Sequence, residues 1–417
     1  MTTSKMLSFS PTLSELESLN SHRSTLESFG KKLDEKSKNL RSVELLFAAK
    51  KADWDGVIEL AEEFEANSER VIVLTEGLCE KLFGAVHSVC SKIVSGRNLK
   101  IELVSSSIQT DSLEHLARGC LGKKVSLYVA VQTAPSERLV WCLRVLLSAL
   151  SEGRHPDEVA RRVIITTGPP ASEWERWTQS SPYRTLSFPP RCAGRYLFFS
   201  EPTALLLSMM GLTPWNFVEG ARSFVRQYDK LAEIDDPMFA YAALREVQLA
   251  EHHRETLVLP DETFLGFGRW WRILTEDSRR LFAEEVNDAI VWSGPVMRET
   301  PAPGRGHWVT EISLDSEAEL SLDCVEGVCL PPLEADDVPD FAELESRYRR
   351  QIDEQRKESG YAQPSIRIVL RRRDPFCLGA FFAFFETVVC ASHKLAETTD
   401  NFSLYKPHHV RGAEVSA

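Results

Sequence analysis

The chain has no apolar run long enough to span a bilayer. The best candidate, residues 376–392, is broken by Glu386 and falls short of the roughly 20 residues a spanning helix needs. A buried core helix is the expected state of that stretch. No apolar segment ahead of a small-residue cleavage site opens the chain, so export is not expected and the cytoplasm is the expected location. Basic residues are in deficit, with 49 Lys and Arg against 61 Asp and Glu and a formal net charge of −12. Short runs such as Arg371-Arg372-Arg373 stand beside acidic segments and read as a solvated face. A chain of that sign is not expected to take nucleic acid or an anionic membrane as its main partner. The nine cysteines form no framework; they are odd in number and several lie inside apolar runs, as expected of reduced, buried thiols. Cys324 and Cys329 have no histidine near them, and the pairs His252-His253 and His408-His409 lack a third ligand, so no metal site is expected. Internal repeats are also absent.

What the chain does have is alternation. At 417 residues, 43% of them hydrophobic and 26% charged, it is long enough for two domains with a core in each. Residues 1–65 read as helical, over 12–29 and 43–64, with the first ten frayed. From 66 to 190, short apolar strands at 71–74, 99–104, 125–131 and 162–167 alternate with helices at 80–93, 111–118 and 137–151. That order predicts right-handed βαβ units and a doubly wound, mainly parallel sheet whose ligands sit at the carboxyl ends of its strands. A second unit of the same α/β class is read over 191–375. Its helices are expected at 203–212, 214–228, 238–252, 264–274 and 279–287, with a charged helix at 341–357. Its strands are expected at 255–260, 289–293, 307–313 and 365–371, with an acidic, proline-bearing excursion over 314–342. A buried helix at 376–397 and a tail close the chain.

Three loops at expected strand ends carry candidate anion ligands: Thr75-Glu76-Gly77, Ser105-Ser106-Ser107 and Thr133-Ala134-Pro135-Ser136. The third places hydroxyls just before a helix, where free N–H groups and the helix dipole favour an anion. The plain alternative is that Thr133 or Ser136 caps the helix with no ligand. A further candidate is Gly194-Arg195, which carries a cation to the rim of an apolar helix. A cation there needs an anion, either a protein carboxylate such as Glu76 or a ligand phosphate. The aromatic residues Phe264, Phe267, Trp270 and Trp271 fall at helical spacing and read as packing within or between the lobes.

These residues together resemble a family. The order GRY, DDPMFAYAALRE, a strand, then FGRWWRIL and an acidic-Ser turn is similar to phosphoglucose (glucose-6-phosphate) isomerases of the bacterial type. The closing LGAFFAFFETVVCAS looks like that family's buried Phe-Phe-Glu helix. Upstream, VIVLTEGLCEKLFGA and SLYVAVQTAPSERLVWCLR stand where the family has its two phosphate loops. The likeness covers most of residues 50–405. It implies two sugar-isomerase (SIS) domains, each a doubly wound, mainly parallel sheet flanked by helices, and a phosphosugar gripped by Ser/Thr loops. It also implies aldose–ketose isomerisation through an enediolate without metal or organic cofactor, and burial of the 381–385 helix in the core or at a dimer seam. Arg195 matches the family arginine that stabilises the developing oxyanion, and Thr133, Ser136 and Ser106 are the candidate phosphate ligands. Asp277 falls near the glutamate that moves the proton between C1 and C2, with Glu276 the alternative if the register slips by one. An aspartate is one methylene shorter, and a displacement of about 1 Å costs on the order of a hundredfold in rate.

The departures from the family pattern are as informative. Its Gly-Gly-Ser turn is here Glu76-Gly77-Leu78, which sets a carboxylate where a phosphate would approach; two such anions repel by at least about 1 kcal/mol even when well hydrated. The lysine of the second loop is replaced near Gln132. The family histidine falls in AIVWS, where Trp292 is the expected occupant. The closing lysine segment has become SLYKPHHVRGAEVSA, with Lys406, His408 and His409 out of pattern. Three readings stand: a diverged, catalytically impaired homologue that binds a phosphosugar or acts through a protein partner or homodimer; a working isomerase with relocated acid–base groups; and a SIS-type regulatory or structural module with no small ligand.

Overall fold

The structure is a computed structural model that describes residues 6–10, 41–93, 99–167, 172–189, 192, 194–227, 238, 241, 242, 245, 254–280, 290–293, 307–315, 347, 350, 354 and 366–396. Within those residues, β1 (Leu7–Ser10) is followed by helices α1 (Arg41–Ala48) and α2 (Lys51–Asn67). Next come β2 (Arg70–Thr75), α3 (Gly77–Cys90), β3 (Lys100–Ser105), α4 (Thr110–Arg118), β4 (Val125–Ala130), α5 (Glu137–Ser151), α6 (Pro156–Arg161), β5 (Val163–Thr167), α7 (Glu173–Ser180) and β6 (Arg184–Ser187). A single 3-10 turn at Gly194–Tyr196 leads into α8 (Glu201–Met209) and α9 (Pro214–Gln227). The chain then forms β7 (Arg254–Leu259), α10 (Leu265–Arg280), β8 (Ile290–Ser293), β9 (His307–Leu314), β10 (Ile366–Leu370) and α11 (Pro375–Ala396).

The first sheet has the order β3-β2-β4-β5-β6, parallel throughout. Every residue of β4 is buried, as befits a parallel strand covered on both faces. Its side chains alternate between two cores. Leu127 and Val129 face Leu139, Leu143 and Leu146 of α5 in an outer core, whereas Tyr128 and Ala130 join Phe83 and Val86 of α3 in an inner one. The second sheet has the order β1-β10-β9-β7-β8, parallel except where β1 pairs antiparallel with β10. The inner core lies between the two sheets, so the α/β class with two doubly wound, mainly parallel sheets flanked by helices holds. A buried polar network ties the helical residues Tyr241 and Arg245 to this second sheet. Glu255 on β7 accepts from Tyr241 Oη at 2.7 Å, Thr310 Oγ1 at 2.8 Å and Arg245 Nε at 2.8 Å.

Four details differ from the sequence reading. The first ten residues are not frayed throughout, because Leu7–Ser10 forms the edge strand of the second sheet, with Leu7 opposite Leu370 and Phe9 opposite Ile368. Its two alternating apolar side chains are too few to stand out in a serine-rich opening. Strand β6 went unread because Leu186 alone among its four residues is buried, as at a sheet edge. Helices α6 and α7, eight residues or fewer, are too short to show a clear period. The stretch Thr275-Glu276-Asp277-Ser278 is not a turn between helices but a continuation of α10. There the Thr275 hydroxyl donates back to the carbonyls of Trp271 and Arg272, at 3.0 and 2.9 Å, instead of capping a new helix. The expected helices at 12–29 and 279–287 and the acidic excursion 314–342 fall largely outside the described residues.

Two glycines let helices cross at main-chain contact. Gly220 of α9 lies against the carbonyl of Phe376, and Gly379 of α11 lies against the carbonyl of Phe217, so a Cβ at either would overlap the facing backbone. The aromatic residues fill the seam between the lobes. The Phe267 ring lies 4.7 Å from Phe381 and 5.2 Å from Phe385, and Phe198 stacks on Phe382 at 4.0 Å. Phe381, Phe382, Phe384 and Phe385 are 0% exposed within one chain, so this run of the helix is core. Among the described residues no helix is long and apolar enough to cross a membrane.

Glu386 is the exception in that apolar helix. Its Oε1 accepts the Phe198 N–H at 3.3 Å, and its Oε2 is buried with no hydrogen-bond partner. Burial pushes the carboxyl up from 4.5 to about 8, against the opposing pull of the Phe198 N–H. The folded protein therefore holds a proton here that the unfolded chain releases above its ordinary range. The associated stability is complete below about 4.5 and is lost as pH rises through about 8. Glu386→Gln is accordingly expected to raise the melting temperature at pH 8 by the equivalent of a few kcal/mol, order of magnitude. It should change little at pH 5. Wild-type and variant melting curves that run parallel across that range would refute the assignment.

Candidate functional site

In the first sheet the strand order reverses between β2 and β4. The loop after β2 leads to α3 on the inner face and the loop after β4 leads to α5 on the outer face, which opens a crevice at their carboxyl ends. Glu76 stands at the N-cap of α3, but its side chain does not cap its own helix. It reaches across the crevice instead. Its Oε1 accepts the backbone N–H of Ser136 at 2.9 Å and its Oε2 accepts the Ser136 hydroxyl at 2.7 Å. Gly77, with φ of +64°, supplies the left-handed residue that turns the chain from this extended position into α3. Ser136 also caps α5, its Oγ accepting the Leu139 N–H at 3.1 Å. Capping and anion binding thus coincide at one residue, and the anion is the protein's own carboxylate, seated at the positive end of α5.

The other candidate ligands sit around this clamp. Ser106 donates its backbone N–H to the Thr75 carbonyl at 3.1 Å, joining the loops after β2 and β3. The adjacent Ser105 hydroxyl donates to Glu80 Oε2 of α3 at 2.8 Å. Arg138 of α5 donates to the carbonyls of Ser107 and Ile108 at 3.2 and 2.8 Å. Thr133 lies exposed on the loop after β4 and leaves the cap to Ser136.

Arg195 is buried, at 4% exposure, in the 3-10 turn. That turn is pinned from three sides. A Cβ on Gly194 would stand 2.8 Å from both Leu78 Cβ and Gln132 Oε1, so only glycine admits this approach to the start of α3. Gln132 Nε2 donates to the Cys192 carbonyl. Trp270 Nε1 of α10 donates to the Arg195 carbonyl at 3.0 Å. The Arg195 guanidinium carbon lies 5.1 Å from the Tyr196 ring centroid. The arginine is therefore seated where both loops of the first sheet meet α10. Glu276 and Asp277 follow Trp270 on the same helix, Asp277 two turns or about 10 Å along its axis; their side chains lie outside the described residues, as does that of Trp292. Lys406, His408 and His409 also lie outside them. Beside Glu76, burial pushes the Cys79 thiol up to about 12, with Glu76's charge adding and a Gln132 hydrogen bond opposing, so this cysteine stays protonated at neutral pH.

Sequence reasoning placed Glu76 where it would repel a phosphate but missed its bond to Ser136. The available signal was topological: at a strand-order reversal the first residues after two neighbouring strands face each other. Gln132, read as a missing lysine, is a tether for the turn that holds Arg195.

No family model matches the chain. Among curated proteins it is similar to the glucose-6-phosphate isomerase of Heliobacterium modesticaldum, with 21% identity over 278 residues that cover 63% of this chain and 59% of that protein. The chain spans a little over half the length of such curated relatives, down to 52% of one. Among solved structures it superposes on a hypothetical protein of Thermus thermophilus with a TM-score of 0.74 and 17% identity, covering 94% of each chain. The glucose-6-phosphate isomerase of Chlamydia trachomatis gives a TM-score of 0.65 at 11% identity, with 89% of this chain and 81% of that one covered.

Proposed function

With a glucose-6-phosphate-isomerase-like SIS fold as the premise, we propose that this chain is a diverged homologue whose phosphosugar site is held closed by Glu76 and whose aldose–ketose isomerisation is lost or severely reduced. The observation that carries this reading is the two-point bond from the Glu76 carboxylate to the N–H and hydroxyl of Ser136. A sugar phosphate seeking the N-terminus of α5 has to displace a covalently tethered anion that is already there. Its own charge would meet that anion at close range.

The remaining equipment is partial. Isomerisation needs a base to carry a proton between C1 and C2 and a cation to stabilise the enediolate oxygen. Arg195 keeps the second role, held in a buried turn beside α10. The first falls to Asp277 or Glu276 on α10. Ring opening has no matching histidine in AIVWS and no lysine in register at the tail. Glu76 is half-buried and Ser136 exposed, so a phosphate ester at high concentration can still compete, and weak phosphosugar binding is part of the proposal.

The test is a coupled assay converting fructose 6-phosphate to glucose 6-phosphate, run beside a thermal-shift series with fructose 6-phosphate and free fructose. Turnover should lie at least about a thousandfold below the usual enzymatic range of roughly 1–1000 s⁻¹. Stabilisation should be small and confined to the phosphate ester. Turnover within the ordinary range would overturn the proposal.

A further inference from the structure

Gln132 joins the two ends of the candidate site. It is the second residue after β4, on the loop that ends at Ser136. Its root is fixed on both sides. The Thr166 hydroxyl of β5 accepts the Val131 N–H and donates to the Val131 carbonyl, both at 2.7 Å, and Thr166 is fully buried. The Gln132 main chain is also hydrogen-bonded to Cys79 of α3. From that base the half-buried side chain crosses to the turn that carries Arg195. Its Nε2 donates to the Cys192 carbonyl, and its Oε1 would stand 2.8 Å from a Cβ on Gly194.

The turn is braced within itself. The Cys192 thiol donates to the Tyr196 carbonyl at 3.3 Å, with both residues buried, which ties the start of the turn to its end around Arg195. A pull on the Cys192 carbonyl is therefore felt at Arg195. Trp270 holds the same segment from α10, and Glu386 holds Phe198 from α11. Gln132 holds it from the first sheet, on the loop whose far end presents the Ser136 N–H and hydroxyl to an anion. The span between the anion position and the guanidinium is thus fixed through this amide. A ligand with charge at both ends is sensitive to that span, because a misplacement of about 1 Å costs on the order of a hundredfold in such an arrangement.

We propose that Gln132 is a positioning residue, setting Arg195 at the distance from Ser136 that lets both ends of a phosphosugar be engaged at once. The inference rests on the reading of Arg195 as the cation of a phosphosugar site.

The test is isothermal titration of the full chain with two probes. Inorganic phosphate needs only the Ser136 end. 6-Phosphogluconate adds a C1 carboxylate, which carries the charge that an enediolate would place beside Arg195. Glu76→Ser is the background, so that the anion position is open. In it Gln132→Met, which keeps the length of the side chain but removes its amide, should weaken 6-phosphogluconate at least about tenfold and leave inorganic phosphate within about twofold. Gln132→Asn keeps the amide one methylene short of its target and should show the same split. Added to Arg195→Met, Gln132→Met should deepen the loss of 6-phosphogluconate by less than about twofold, because a positioning residue acts through the arginine. A side chain with a merely structural role would weaken both probes or neither, and its effect would add to that of Arg195→Met; any of these results would overturn the proposal. Arg195→Met that binds 6-phosphogluconate unchanged would overturn it together with the phosphosugar reading. A full loss in Arg195→Met beside a silent Gln132→Met would overturn the role of Gln132 alone.

Discussion

Alanine at Gly379 is expected to cost the folded state at least about 3 kcal/mol, enough to leave much of the protein unfolded at temperatures wild type tolerates. The reason is the reciprocal crossing of α9 and α11. The added methyl would overlap the carbonyl of Phe217, and the mirror contact of Gly220 with the carbonyl of Phe376 prevents either helix from sliding aside. Main chain opposes the methyl on both sides, so no side chain can rotate away. Separating the helices would also open the Phe198–Phe382 stack and the ring cluster around Phe267. Gly56 of α2 provides the control. A Cβ there meets nothing within 4 Å, so Gly56→Ala should raise stability by roughly 0.5–1 kcal/mol through helix propensity. Equal melting temperatures for Gly379→Ala and wild type would disprove the crossing.

The second large effect is a gain of binding. Glu76→Ser removes the tethered carboxylate from Ser136 and leaves a neutral hydroxyl in its place, so it should tighten binding of inorganic phosphate and fructose 6-phosphate at least about tenfold. The expected size follows from removing one unit charge near a ligand anion, about 1 kcal/mol in a water-like setting and about 4 kcal/mol at an effective dielectric of 20. In a melting experiment, ligand at a hundred times its dissociation constant should stabilise the variant by about 2.7 kcal/mol. Isothermal titration gives the constants directly. The apo variant should be modestly less stable, by about 1 kcal/mol, because two charge-assisted hydrogen bonds are gone. Equal affinities in wild type and variant would show that Glu76 does not occupy the anion position, and the proposed closure would fall with it.

Much of the architecture was legible in advance because parallel strands covered on both faces announce themselves as apolar runs. Val71–Leu74 and the fully buried β4 are of that kind, and Glu137–Ser151 was read to the residue. Elements whose evidence is spread across the fold were not. Leu186 alone cannot signal an edge strand, and Leu7 acquires its meaning only from Leu370. At the site, the sequence placed Arg195 only at the rim of an apolar stretch, and neither its burial nor its supports were legible there. Trp270 and Gln132 reach the turn across 75 and 60 residues of sequence. The Glu76–Ser136 bond likewise spans 60 residues and requires knowing which two loops the strand order brings face to face. Glu386 was visible as an interruption in an apolar run, but its partner is a backbone N–H, which no side-chain pattern reveals.

The pairing of β1 with β10 has a bearing on how the chain is made. The two strands lie roughly 360 residues apart. At about 5–20 residues per second, β1 leaves the ribosome on the order of 20 to 70 seconds before its partner exists. The first sheet, built from a continuous stretch between Arg70 and Ser187, can assemble within that interval. The second waits until Ile366–Leu370 has been made, and until then the apolar pair Met6 and Leu7 lacks the strand that covers it.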